Sequence, residues 1–107
     1  MIPKGLENVE NVITVCQAIL ADLALDKAGE KEALESIVKT LEGMRTNFYL
    51  KTNFAIPVTN VCLRSAKELQ AVQEKKDDAS FPDVLAKFRA AVEKLLDEGK
   101  MEGVIVT

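Results

Sequence analysis

The sequence predicts an all-α fold, an antiparallel four-helix bundle with a short C-terminal tail, and three observations lead to it. Four separate segments carry apolar residues at intervals of three and four, which is the spacing of one helix face. The connections between these segments are short, which favours antiparallel neighbours. The chain has 107 residues, of which 48% are hydrophobic, so residues 1–107 are expected to form a single domain around one core.

The first helix is predicted to run from Leu6 to about Leu25. Polar residues fall mainly on its other side, away from an apolar face made of positions 6, 9, 12, 13, 16, 19, 20 and 23. The segment DKAGEKE then interrupts the pattern, and Gly29 is the expected break between the first two helices.

The second helix is predicted to begin near Glu30, with its apolar residues at positions 33, 34, 37, 38, 41, 44 and 48. Gly43 lies inside it, where glycine costs about 1 kcal/mol relative to alanine. Two interpretations stay open for this glycine: it permits another helix to approach closely, or it is simply tolerated.

The stretch NFYLKTNFAIPVTN, residues 47–60, should break the helical pattern. Proline suits the first turn of a helix but not its interior, and it pushes the preceding residue out of helical geometry. We therefore expect a break between roughly Leu50 and Ile56 and a third helix from Pro57, with apolar positions 58, 61, 62, 66, 69 and 72. The aromatic residues that flank the break are predicted to close one end of the bundle: Phe48, Tyr49 and Phe54.

The fourth helix follows the polar loop EKKDDAS. Ser80 and Asp83 resemble a capping box at its start, and Gly99 is the expected stop. Its apolar face comprises positions 84, 85, 88, 91, 92, 95 and 96. The tail MEGVIVT carries the apolar run 104–106, which we expect to fold back on the bundle because it is too short to anchor anything alone.

The residue types present argue against catalysis and against a bound cofactor or metal. The chain contains no histidine, which removes the commonest general base and metal ligand, and it has no glycine-rich phosphate loop. Carboxylate pairs at helical spacing do occur, but on polar helix faces, where a solvated surface explains them better than a metal cage: Glu7 with Glu10, Glu32 with Glu35, and Glu93 with Asp97.

Charge and hydropathy argue against three further classes of protein: nucleic-acid-binding, membrane-spanning and secreted proteins. The net charge of -3 and the pI near 5.0 argue against a nucleic-acid-binding protein, which needs a basic face. The chain has no run of 18 apolar residues, and its first residues lack the pattern of a secretory signal. We expect a cytoplasmic protein.

Cys16 and Cys62 both fall on predicted apolar helix faces. We interpret them as two free thiols in the core, while a disulfide between the first and third helices is the alternative.

The stretch FYLKTNFAIP, at the break before the third helix, resembles the corresponding segment of the immunity proteins of pediocin-like (class IIa) bacteriocins. The segments around it match in layout, with ENVENVI in the first helix, ALESIVKTLE in the second and SFPDVLAKF at the start of the fourth. The resemblance implies an antiparallel four-helix bundle in the cytosol. It covers most of the chain as architecture and about ten residues as a motif.

The resemblance also implies a function. Members of the family protect the producing cell by binding, from the cytosolic side, the mannose phosphotransferase permease once a bacteriocin has engaged it. Contact with the membrane surface remains open. The family reads the bacteriocin with its fourth helix and tail, and by position this implies partner-binding roles for Lys87, Arg89, Lys94, Lys100, Met101, Val104 and Ile105.

Two other classes of function are weighed against this one. The many apolar positions of the first helix would also suit a helical interaction or homo-oligomerisation module unrelated to bacteriocins. An enzyme or metal carrier is disfavoured by the missing histidine. The sequence leaves the oligomeric state and the cognate bacteriocin undetermined.

Overall fold

The computed structural model describes residues 4–23, 27–48, 56–77 and 79–101, and side chains within the ranges 7–23, 27–43, 57–77 and 79–98. Four helices follow one another in these ranges: α1 (Lys4–Asp22), α2 (Ala28–Phe48), α3 (Ile56–Glu74) and α4 (Phe81–Met101). No strand occurs within them, and the predicted all-α four-helix bundle is confirmed.

The core forms where the apolar faces of all four helices meet. Phe81 and Phe88 of α4 are its largest side chains. They are surrounded by aliphatic residues that the helical spacing predicted, among them Val9, Val12, Ile13, Ile19, Leu34, Ile37, Val38, Leu41, Val58, Leu69, Leu85, Val92 and Leu95. At about 25 cal/mol per Å² of apolar surface removed from water, this burial is the main force that holds the four helices together.

Consecutive helices run in opposite directions, but neighbours in sequence are not always neighbours in space. α1 packs against α2 and α3, and α3 packs against α1 and α4, while α2 and α3 share no contact in the part of the chain described. The chain therefore crosses the bundle diagonally between α2 and α3, and α1 and α3 become parallel neighbours.

Three side-chain hydrogen bonds show the parallel pairing of α1 with α3. Near the starts of both helices, the amide of the buried Asn8 donates hydrogen bonds to Thr59 Oγ1 at 3.0 Å and to Asn60 Oδ1 at 2.8 Å. Near their ends, Gln73 Nε2 donates to the carbonyl oxygen of Ile19 at 2.8 Å. Buried polar groups need hydrogen-bond partners, so these bonds set the register of α1 relative to α3.

The break between α2 and α3 falls where the sequence predicted it. α2 ends at Phe48, and α3 begins at Ile56, one residue before the expected Pro57. Tyr49 and Phe54 lie outside the described residues, as does the side chain of Phe48, so the predicted aromatic closure of the bundle end stays a prediction.

α3 ends in a turn that carries a lysine in a position normally occupied by glycine. The Lys76 N–H donates to the carbonyl of Gln73 at 3.0 Å, and the Asp77 N–H donates to that of Val72 at 3.1 Å. This bond pair is the Schellman motif, and Lys76 has the left-handed φ of 56° that the motif requires. A side chain with a Cβ pays for that conformation, so α3 ends with local strain.

The start of α4 differs in detail from the predicted capping box. Ser80 precedes the helix as expected, and its carbonyl accepts the first helical bond from Val84 at 3.0 Å. Its N–H, however, donates to Asp77 Oδ1 at 3.2 Å rather than to Asp83. The carboxylate that accepts from the Ser80 N–H therefore belongs to the loop before α4 and not to the first turn of the helix. Asp77 is close enough because it directly follows the turn that ends α3.

The helix boundaries predicted from glycines were wrong. Gly29 lies inside α2, which begins at Ala28 rather than near Glu30, and α4 continues past Gly99 to Met101. α1 begins at Lys4 and ends at Asp22, earlier than predicted at both ends. Glycine in a helix costs only about 1 kcal/mol, which burial of the rest of the helix easily offsets.

One predicted core position is also corrected. Val61 was assigned to the apolar face of the third helix, but its residue surface is 47% exposed. It lies at the edge of that face that borders α4, where the neighbouring helix does not cover it.

Candidate protein-interaction surfaces

The predicted basic residues of α4 are divided between two sides of the helix. Lys87 faces α3, because its Nζ lies 3.3 Å from Glu68 Oε2. Lys94 follows seven residues later, almost two full turns, and therefore shares the α3-facing side. Arg89 lies roughly 160° around the helix from Lys87 and faces α2. The structure thus brings Lys87 and Lys94 to one surface and places Arg89 on another.

Arg89 borders an open groove between the first turns of α2 and α4. The groove has a volume of about 330 Å³ and a mostly apolar lining of Gly29, Glu30, Ala33, Pro82, Leu85, Ala86 and Arg89. The Arg89 guanidinium lies 3.7 Å from Glu93 in an exposed pair one turn apart, which contributes little to stability. The α2 side of this groove is not predicted by the sequence, because Gly29 is expected at the break between the first two helices.

The remaining predicted site residues lie at or beyond the end of α4. Lys100 and Met101 are the last described positions of the helix, and their side chains lie outside the described residues. Val104 and Ile105 lie outside the described residues, as does the predicted folding back of the tail. Their partner-binding roles stay predictions.

The surface shared by α3 and α4 includes two residues that the sequence reasoning did not select. Val61 and Arg64 of α3 are both exposed, and Arg64 makes no ion pair within the described part of the chain. A signal was present in the sequence, since Val61 precedes Glu68 by seven residues and therefore shares its outer face. Spacing from Val58 had instead placed it with the core.

Neither cysteine is suited to nucleophilic chemistry. Cys16 and Cys62 are free and buried, which confirms the interpretation as core thiols over the disulfide. Burial raises the pKa of each thiol from 9.0 to about 12, and the proximity of Cys62 contributes to the rise at Cys16. Reactive cysteines are exposed and have depressed pKa values, so we expect these two thiols to be unreactive in the folded chain.

Within the described ranges, no three side chains among cysteine, aspartate, glutamate and histidine come together as metal ligands do. The three carboxylate pairs singled out in the sequence lie on exposed or half-buried helix positions. The described residues instead form two candidate binding surfaces. One is the groove between α2 and α4, and the other is the outer face that α3 shares with α4.

Among the described residues, no helix combines the length and the apolar character needed to cross a bilayer. No protein-family model matches the chain, and neither a curated protein nor a solved structure is significantly similar to it.

Proposed function

We propose that this chain is a bacteriocin immunity protein. In this proposal it is a cytoplasmic, non-enzymatic binder that protects its cell from a pediocin-like bacteriocin by acting at the complex of that peptide with the mannose phosphotransferase permease. The supporting observation is the stretch FYLKTNFAIP at the break between α2 and α3 of a four-helix bundle. Both the motif and the fold are those that the resemblance implies.

The chemistry of the surface is compatible with binding rather than catalysis. The two thiols are buried with raised pKa values, and the exposed basic residues of α4 are held at the surface by a rigid helix. Lys87 and Lys94 are the proposed partner contacts on the α3 side, and Arg89 is the one on the groove side. Such charges steer a partner and select it by complementarity.

A protection assay tests the proposal. The chain is expressed in a sensitive lactic-acid bacterium, and the cells are exposed to a panel of pediocin-like peptides. We expect the inhibitory concentration of at least one peptide to rise at least about tenfold over that for cells with an empty vector. Far-UV circular dichroism of the purified protein establishes that the chain is folded. Unchanged survival against every peptide would reject the immunity role.

The alternative of a homo-oligomerisation module gains no support from α1. Its positions 9, 12, 13, 16 and 19 are buried inside the bundle and cannot serve a second apolar face. Among the described side chains, Val61 stands out as the large hydrophobic residue at the surface. Light scattering over a range of concentrations measures the oligomeric state directly, and a stable dimer would favour the homo-oligomerisation module.

A further inference from the structure

The polar contacts between helices join α3 to α1 and to α4 but do not include α2. Asn8 and Gln73 form the hydrogen bonds between α1 and α3, and Lys87 pairs with Glu68 between α4 and α3. Within 28–43, no side chain of α2 makes a hydrogen bond or an ion pair with another described helix. The polar contacts that hold the bundle together therefore act on α1, α3 and α4.

The packing of α2 is also one-sided. In the described part of the chain it packs mainly on α1, has little contact with α4 and has none with α3. An open groove of about 330 Å³ separates its first turn from that of α4. Across this end of the bundle, the Lys27 ammonium lies 5.4 Å from the centre of the Phe81 ring. Beyond that contact, apolar packing against α1 is the main interaction that holds α2 in place.

The residues of α2 make it easier to detach than its length suggests. The helix contains two glycines, Gly29 and Gly43, and glycine is a poor helix former. Its buried side chains in the described part are all aliphatic: Leu34, Ile37, Val38 and Leu41. Because apolar packing is not directional, α2 can leave and return without breaking a described hydrogen bond to another helix.

We propose that α2 opens as a unit in the native protein, while α1, α3 and α4 stay packed together. Free energies of local opening differ within one fold, and the element with the fewest contacts opens at the lowest cost. The opening begins at the groove, where α2 and α4 are already apart, and it uncovers the apolar sides of α1 and α4 that α2 covers. The inference concerns the fold alone and does not rest on the immunity role.

The test follows amide hydrogen exchange in the ¹⁵N-labelled full chain at increasing urea, below the unfolding transition. We expect the amides of 34–41 in α2 to have protection factors at least about tenfold below those of the slowest amides of α1 and α3. Urea should accelerate exchange in α2 less steeply than in α3, because opening one helix exposes only part of the surface that unfolding exposes.

Two variants with similar expected losses of global stability separate opening of α2 from unfolding of the whole chain. Gln73→Met removes the hydrogen bond from α3 to α1, which the opened state keeps. The amides of α3 should therefore exchange about fivefold faster, while those of α2 should stay within about twofold of the parent chain. Ile37→Val weakens the packing of α2, so the amides of α2 and α3 should both exchange about fivefold faster.

Three results would overturn the inference. They are equal protection of α2 and α3 in the parent chain, loss of protection in α4 before α2, and an identical response of α2 to the two variants. Rapid exchange in α2 that does not depend on urea would also overturn it, because it would show local fluctuations instead of opening of the whole helix. The cell protection assay has no bearing on these outcomes, so the immunity role and the opening of α2 can fail separately.

Discussion

Gly43 offers a direct test of how α2 sits in the bundle. It lies in the interior of the 21-residue helix, is exposed, and has no left-handed φ. A Cβ at this position would meet no atom of the described residues within 4 Å. Of the two interpretations that the sequence left open, the structure therefore supports simple tolerance over a close helix approach.

The expected effect of Gly43→Ala follows from that empty space. The new methyl group displaces no neighbour, so the variant should gain the difference in helix propensity, about 1 kcal/mol of unfolding free energy. For a domain of this size, such a gain corresponds to a rise in Tm of about 4 °C. Gly29→Ala should gain only about half as much, because Gly29 lies in the first turn of α2, where helices fray.

Urea unfolding followed by far-UV circular dichroism measures both variants against the parent chain. The midpoint should move to higher urea while the slope of the unfolding free energy stays constant, since the buried surface does not change. A lower midpoint for Gly43→Ala would mean that another element packs against this glycine, and the reasoning would be refuted. The two variants also form a matched pair, because only Gly29 lines the groove. A groove ligand should therefore be weakened by Gly29→Ala and not by Gly43→Ala.

Three further predictions concern other parts of the bundle. Lys76→Gly should raise the unfolding free energy by roughly 1 kcal/mol in the same assay, because glycine adopts a φ of 56° without strain; a loss would contradict the Schellman assignment. Asn8→Asp should cost roughly 3 kcal/mol at neutral pH, since an ionised carboxylate would be buried against Asn60 Oδ1. The aspartate pKa would be raised in the folded state, so the loss should shrink as the pH falls from neutral toward about 4, the pKa of an unfolded aspartate, and a loss that does not depend on pH would contradict this account. Cys16 and Cys62 should resist a thiol reagent until the chain unfolds, and stability should fall as the pH rises from 9.0 toward about 12, because the unfolded thiols ionise first; Cys16→Ala with Cys62→Ala should remove that part of the loss.

Local chemistry accounts for the elements that were predicted correctly. Pro57 can only begin a helix, and Ser80 followed by Phe81 and Pro82 marks a helix start, so α3 and α4 begin where expected to within a residue. The helix boundaries predicted at Gly29 and Gly99 were wrong, because a glycine is a weak local signal that the burial of a whole helix overrides. The end of α3 was not predicted to be a Schellman turn because Lys76 stands where glycine is usual.

The candidate surfaces could be predicted only in part. Lys87, Arg89 and Lys94 fall outside the apolar positions predicted for the fourth helix, and all three are exposed. The sequence could not separate Arg89 from the two lysines, because that division depends on which helix lies on each side of α4. Because the neighbouring helix was not predicted either, the spacing placed Val61 in the core. An apolar stripe read from spacing has an uncertain edge, and only a neighbouring helix decides whether a residue at that edge is covered.

The sequence by itself determined that the chain forms four helices, roughly where they begin and which residues they bury, because periodicity, prolines and caps act over a few residues. The tertiary structure decided which helices become neighbours. The diagonal crossing from α2 to α3 and the parallel pairing of α1 with α3 depend on contacts between residues about fifty positions apart, such as Asn8 with Thr59. No local pattern encodes such contacts, since they arise only when the apolar faces close around a shared core and the buried polar groups must find partners.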